Sequence, residues 1–177
     1  MCPVTLVLGG AASGKSVFAE SLIAASFETR WENAIYLATA TAGDDEMSDK
    51  IARHRARRGP RWMTVEEPVA LSTALAEHAR ADRPVLVDCL TLWLTNLLLA
   101  DRDPEPEIEA LVGAFAALPS PAVLVSNEVG GGIVPENALA RRFRNEAGHM
   151  NQKIAAAADR VYLVTAGLPQ LLKDSNA

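Results

Sequence analysis

The stretch Gly9-Gly10-Ala11-Ala12-Ser13-Gly14-Lys15-Ser16 holds the residues whose types and spacing speak most directly of chemistry. It fits G-x-x-x-x-G-K-[ST], a loop whose backbone N–H groups close round a chain of phosphates. Glycine at either end removes the Cβ that would block that approach and permits positive φ. Lys15 is then placed to reach the β and γ phosphates, and Ser16 offers its hydroxyl to Mg²⁺. The helix that opens here turns its positive end towards the anion. A Gly/Ala/Ser-rich turn opening a helix is the plainer reading of the same letters, and the flanks decide between the two. Val4 to Leu8 is short, apolar and β-rich, while Val17 to Ala25 is apolar at helical spacing, so the loop lies between strand and helix.

Other candidates are weaker alone. Asp88 closes the apolar run Pro84-Val85-Leu86-Val87-Asp88, the place of a carboxylate that orders Mg²⁺ in phosphoryl-transfer proteins, although apolar runs ending in Asp are common. Thr39, Ala40 and Thr41 follow the strand-like run Ala34 to Ala38 and so fall where α/β sheets collect ligands; a plain β-to-α turn is the equal alternative. Six of the 17 Lys and Arg residues lie between Lys50 and Arg61. There an acidic start at Asp44 passes into Lys50 to Arg58, which suits the dipole of a helix ending near Gly59-Pro60. Only Met47, Ile51 and Ala52 give that helix an apolar face, so it either stands solvated or serves as an arm carrying His54 and its arginines towards phosphate. A lone histidine in such a setting is ordinarily structural, and His78 reads as a surface or capping residue.

The elements that must position these residues are legible from apolar periodicity. Trp62 to Val65 predicts a strand, and a helix follows from Pro68 to about Arg80. Leu90 to Ala100 is apolar nearly all round, as expected of a deeply buried helix or of one that also meets a partner subunit. Asp101 to Pro106 is a charged connector before a helix carrying Ile108, Leu111, Val112, Phe115 and Ala116. Ala122 to Ser126 is a strand opening into Asn127–Asn137, a loop with three successive glycines. A long helix from Ala138 to Ala158 carries Leu139, Phe143, Ala147, Met150 and Ile154 as one stripe, Arg160 to Thr165 is the last strand, and Lys173 to Ala177 is a frayed end. Strands alternating with helices imply an α/β domain, residues 1 to 177, with a mostly parallel sheet covered on both faces.

Composition narrows the partners. A net charge of −5 weighs against nucleic acid and membrane surfaces, so the local basic cluster suggests a small anionic ligand. Two cysteines, Cys2 and Cys89, make no disulfide framework, and no run reaches the length of a membrane span; a reduced cytoplasmic setting is expected.

A more specific pattern emerges when the segments are joined. Gly9 to Ser16, Asp44-Asp45-Glu46-Met47 followed by His54, Asp88-Cys89-Leu90-Thr91 with Thr95-Asn96-Leu97-Leu98, Ser126 to Asn137, then Gly148, Asn151-Gln152 and Ala155 to Asp159 together resemble one family over nearly the whole chain. It is the bifunctional adenosylcobinamide kinase / adenosylcobinamide-phosphate guanylyltransferase family of cobalamin biosynthesis. The resemblance implies a RecA-like P-loop fold, a homotrimer, and two reactions. In the first, ATP or GTP phosphorylates the aminopropanol hydroxyl of adenosylcobinamide. In the second, GMP passes from GTP, through a guanylylated histidine, to that phosphate. By position, the resemblance makes His54 the nucleophile and Arg55, Ala56, Arg57 and Arg58 nucleotide contacts. Thr39, Ala40 and Thr41 become a second nucleotide loop, Glu66 an acidic contact, and Ser16 and Asp88 the Mg²⁺ side. Two departures stand out. Some relatives carry two adjacent histidines where this chain has Arg53-His54, and the segment Phe27 to Asn33 is longer than usual.

These residues suit that chemistry. Phosphoryl transfer needs positioning and charge neutralisation, which Lys15, the loop amides and Mg²⁺ would supply. A nucleotidyl intermediate needs an unprotonated nucleophile, and an imidazole with a pKa of about 6.5 qualifies; neighbouring arginines favour its neutral form and clamp a phosphate. A simple P-loop small-molecule kinase would not need His54. A nucleic-acid-binding module could use the basic cluster, but its binding would weaken with salt and take no corrinoid.

Overall fold

The computed structural model of the chain describes residues 3–25, 31–40 and 58–175. Seven strands form one sheet: β1 (Val4–Gly9), β2 (Ala34–Ala38), β3 (Trp62–Glu66), β4 (Val85–Asp88), β5 (Ala122–Asn127), β6 (Arg160–Thr165) and β7 (Leu168–Asp174), in the order β3-β2-β4-β5-β1-β6-β7. The first six run parallel and β7 is antiparallel to β6. The helices among the described residues are α1 (Lys15–Ala24), α2 (Leu71–His78), α3 (Leu90–Leu99), α4 (Pro104–Phe115) and α5 (Ala138–Ala157).

Period-two alternation divides the strands between two cores. Leu6, Leu8, Ile35, Leu37, Val85, Val87 and Leu124 face one side, where they pack with α2, α3, α4 and α5. Val7, Tyr36, Leu86, Val123, Val125 and Val164 face the other, against Ala19 and Ile23 of α1. Each inner strand is apolar on both faces, which is why it reads as a continuous hydrophobic run. β1 pairs with β5 and β6, although β2 follows it in sequence, so the carboxyl end of β1 opens beside those of β5, β4 and β2. Such a crevice is where α/β sheets bind ligands.

Several sequence expectations shift by a turn. The helix expected from Pro68 begins at Leu71, because the Glu67 carboxylate accepts the Val69 and Ala70 N–H groups at 2.8 and 2.7 Å and holds residues 68–70 in a bend. The connector before α4 is shorter than expected, since Pro104-Glu105-Pro106 is already helical, in a first turn whose amides need no partner. Asp103 caps it by accepting from Glu105 N, and Asn137 caps α5 by accepting from Leu139 N and Ala140 N. Leu139 does not belong to the buried stripe of α5 and is 57% exposed, whereas Ala147, Met150 and Ile154 are fully buried. In Leu90 to Ala100 one face is buried by the chain itself, with Leu90, Trp93, Leu94 and Leu97 in the core and Trp93 Nε1 donating to Val69 O at 2.7 Å, while Leu99 is 75% exposed.

The end of the chain differs most. Lys173 is not frayed but stands in β7, which returns along β6 through a tight turn with positive φ at both Ala166 and Gly167. That geometry matches the twist of paired strands. The Lys173 ammonium donates to the carbonyls of Ala155, Ala156 and Ala158 at 3.1, 2.8 and 2.6 Å, satisfying the C-terminal end of α5 and placing a cation at its negative pole. Replacing it by methionine keeps the aliphatic stem but strips these donors, so Lys173→Met should lose about 1 to 2 kcal/mol of stability. Urea unfolding followed by circular dichroism measures this; an unchanged midpoint would refute the role.

Candidate active site

The loop between β1 and α1 is built by close approach. A Cβ on Gly9 would lie 2.4 Å from Ser13 Oγ and 2.7 Å from Val164 O. Gly14 takes φ of 92°, and a Cβ there would meet Gly167 Cα at 3.1 Å. Both positions therefore require glycine. From outside, the β6–β7 turn pins the loop, with Gly167 N donating to Ser13 O at 2.8 Å. Lys15 opens α1 largely buried, its Nζ donating to Gly10 O at 3.1 Å.

Beside the loop lies a cavity of about 460 Å³. Ala11, Ala12, Lys15 and Ser16 line it from the loop side, Ala38, Ala40, Asp88 and Cys89 from the strand ends, and Arg58 and Glu66 from the β3 side. Of the residues singled out in the sequence, Ala11, Ala12, Lys15, Ser16, Ala40, Arg58, Glu66 and Asp88 are thus brought to one cavity. Gly9, Gly10, Ser13 and Gly14 shape the loop behind it. Thr39 is fully buried and turned elsewhere: its Oγ1 donates to Cys89 O at 2.7 Å and accepts from Cys89 N at 2.9 Å, clasping the end of β2 to the end of β4. Thr41, His54, Arg55, Ala56 and Arg57 lie outside the described residues.

Sequence reasoning missed Tyr36. Its hydroxyl donates to Asp88 Oδ2 at 2.8 Å, and the Arg58 guanidinium lies 3.3 Å from the centre of its ring. Burial, followed by the Asp88 charge and the hydrogen bond to it, pushes the Tyr36 pKa far up, so the phenol stays a donor and holds one oxygen of Asp88 in place. Arg58 Nε and Nη1 are buried without hydrogen-bond partners, leaving the guanidinium stacked and ready for an anion. The period-two alternation of β2 could have placed Tyr36 on the α1 face with Leu86, but nothing local to it announced a partner on β4. Also unassigned were Thr91 and Asn127, joined by a 2.6 Å bond from Asn127 Nδ2 to Thr91 Oγ1.

The Ser16 hydroxyl and the Asp88 carboxylate both line the cavity and would be the oxygen donors to a Mg²⁺ ion. Hard oxygens few in number are what this ion takes when nucleotide phosphates and water complete its shell, and a denser ligand cluster is absent among the described residues. The donor set fits the ion.

Comparison with known proteins identifies the family. Residues 5–172 match the family described as cobinamide kinase / cobinamide phosphate guanyltransferase. The chain belongs to that family. It is 53% identical over 171 residues to the bifunctional adenosylcobalamin biosynthesis protein CobP of Pseudomonas aeruginosa, covering 95% of this chain and 96% of that protein. It is 42% identical over 183 residues to CobU of Salmonella typhimurium, covering 95% and 98%, and equally to CobU of Escherichia coli. Among solved structures, the flagellar accessory protein FlaH from Methanocaldococcus jannaschii superposes with a TM-score of 0.58 over 97% of this chain and 78% of that one. At 14% identity that likeness concerns the fold alone. Family members are kinases and guanyltransferases that use nucleoside triphosphates, and no helix among the described residues is long and apolar enough to cross a membrane.

Cys89 tests the electrostatics of this site. Burial and then the neighbouring Asp88 charge push its thiol pKa up. A raised folded value means that native and unfolded chains both hold the proton below about pH 8.5, the ordinary thiol range, and that stability falls as pH rises above it. In a Cys2→Ser variant at pH 8, a thiol reagent should therefore label the native protein far more slowly than the denatured one. Equal rates would refute the protonated, buried thiol.

Proposed function

We propose that this chain phosphorylates the aminopropanol hydroxyl of adenosylcobinamide with ATP or GTP, then transfers GMP from GTP, through His54, to the phosphate it has made. The observation that carries the reading is one cavity in which Lys15, Ser16, Asp88 and Arg58 converge beside a phosphate loop, in a chain of this family. In the kinase step the loop amides and Lys15 hold the β and γ phosphates, and charge developing on the transferred group is met by groups already in place. Tyr36 keeps Asp88 oriented. Mg²⁺ held by Ser16 and Asp88 would neutralise phosphate charge. In the second step the His54 imidazole attacks the α-phosphorus of GTP, pyrophosphate leaves, and the cobinamide phosphate oxygen then displaces the histidine. Arg58 at the cavity wall suits the anion that both steps share, and Arg55, Ala56 and Arg57 belong to the same nucleotide-contacting stretch. Thr39 would act by shaping the loop that continues through Ala40 and Thr41, and Glu66 would meet the nucleotide at the β3 side. A cytoplasmic setting goes with nucleotide use.

With α-labelled GTP and Mg²⁺, the wild-type protein should retain GMP after denaturation, in a bond lost in acid and kept in alkali as a phosphoramidate is. His54→Ala should abolish the label yet still phosphorylate adenosylcobinamide, whereas Lys15→Ala should lose phosphorylation with the fold intact. Unchanged labelling of His54→Ala would assign the nucleophile elsewhere, and an unlabelled wild type would favour the simpler kinase.

The same reading includes a homotrimer. Its physical support is apolar surface that the monomer leaves uncovered: Leu168, Leu171 and Leu172 are exposed on the edge strand β7. Sedimentation at micromolar concentration should give three times the mass of 18.9 kDa; a stable monomer would remove this part of the reading.

A further inference from the structure

The lining of the cavity divides by chemistry. The part described above carries Lys15, Arg58, Asp88 and Glu66. On another side lie Thr91, Leu92 and Thr95 of α3, Asn127 and Val129 at the end of β5, and Phe143 of α5, a wall with no ionisable side chain among the described residues. Resting on the kinase reading, we propose that this uncharged wall is the acceptor subsite, which takes the neutral hydroxyl- and amide-bearing arm of the corrinoid while the macrocycle stays outside.

Size makes the first argument. About 460 Å³ suits a small molecule or part of a larger one, and phosphates must share it. A corrin ring with its amide arms cannot enter, so only the arm that bears the acceptor hydroxyl reaches the loop. Polarity makes the second. A neutral alcohol needs a few fixed hydrogen-bonding groups among apolar surfaces that exclude water, and a charged wall would compete with the phosphates. Leu92, Val129 and Phe143 are partly buried and packed against the two cores, so their surfaces are held in place.

The polar groups are pre-organised as well. Thr91 and Thr95 lie one helical turn apart on α3, and Thr95 Oγ1 donates its proton to Thr91 O at 3.0 Å, leaving its lone pairs to accept. Asn127 Nδ2 donates to Thr91 Oγ1 at 2.6 Å and to Cys89 Sγ at 3.9 Å, while the Asn127 backbone carbonyl accepts from Asn151 Nδ2 at 3.2 Å. The bonds of Nδ2 orient the side-chain amide and leave Oδ1 as its acceptor. Outside the cavity the apolar surface continues: Leu139 lies four residues before Phe143 on α5 and is 57% exposed. That is a ledge for a macrocycle whose arm points inward.

Steady-state kinase assays with varied adenosylcobinamide, on wild type, Phe143→Ala and Thr95→Val, test the assignment, alongside binding of a fluorescent nucleotide analogue. Thr95→Val keeps the side-chain volume and guards against a Phe143→Ala protein that fails to fold. The KM for the corrinoid should rise roughly tenfold or more in the variants, as expected when a packing group or hydroxyl contact is lost from a specific site, with nucleotide affinity unchanged. Wild-type corrinoid KM in both variants would overturn the subsite while leaving the kinase reading intact. A parallel loss of nucleotide affinity would also overturn it, by showing general damage. A wild-type protein that makes no phosphorylated corrinoid would instead overturn the kinase reading itself.

Discussion

A phosphate-binding loop must present its amides on one side while being held rigidly from the other, and in this chain that constraint falls on two glycines, one with no room for a Cβ and one at positive φ. At Gly9 the loop folds back on its own Ser13 and on Val164 of the neighbouring strand; at Gly14 it meets Gly167 in the β6–β7 turn. The second contact gives the antiparallel edge hairpin a function beyond covering β6. By seating its turn on the loop, with a hydrogen bond from Gly167 to Ser13, it fixes the start of α1 and therefore the direction in which Lys15 and Ser16 point. Lys173, further along the same strand, anchors the hairpin to the end of α5. The last described strand thus supports the site from behind without touching the cavity.

Elements that obey a local rule were legible in the sequence. The loop spacing, the apolar strands and the buried part of the α5 stripe each depend on residues a few positions apart, and each stands where the pattern placed it. β7 was not legible for a physical reason. Leu168, Leu171 and Leu172 are exposed, so the strand lacks the alternation that burial of one face imposes, and its turn uses Ala166-Gly167, which lacks the Asn or Asp that usually marks this geometry. Leu139 misled in the opposite way, since helical spacing is the same whether or not a core lies under that turn. The Tyr36–Asp88 bond and the Thr91–Asn127 bond join segments 52 and 36 residues apart, and only the strand order brings those segments together.

The strand ends also explain how a small chain keeps several polar side chains in order at the edge of its core. Thr39 clasps Cys89, Asn96 donates to both Thr39 O and Pro68 O at 2.8 and 2.9 Å, and Asn127 donates to Thr91. Each bond ties the carboxyl end of a strand, or the turn after it, to the start of α3 or to its second turn. Buried polar groups left unpaired would each cost more than such a bond contributes, so the network specifies one arrangement of these ends. A wall of this kind can be uncharged and still directional.

Electrostatics then separates the two halves of the cavity. The chain as a whole is acidic, with a net charge of −5, yet Lys15 and Arg58 line the space where phosphate would lie. The attraction is local, and salt screens it less than it would screen exposed charges because the groups are partly withdrawn from water. Asp88 would repel phosphate if it faced it bare, but one of its oxygens is taken by Tyr36 and the Arg58 guanidinium stacks on that same ring. The carboxylate is therefore directed, with a cation near it, and a divalent ion between Asp88 and the nucleotide would turn the remaining repulsion into attraction. Across the cavity, Thr91, Thr95 and Asn127 offer dipoles without net charge. On the proposed reading an anion would settle on the first side and a neutral alcohol would lose least by lying on the second, so the charge pattern of the cavity would favour opposed placement of the two reactants.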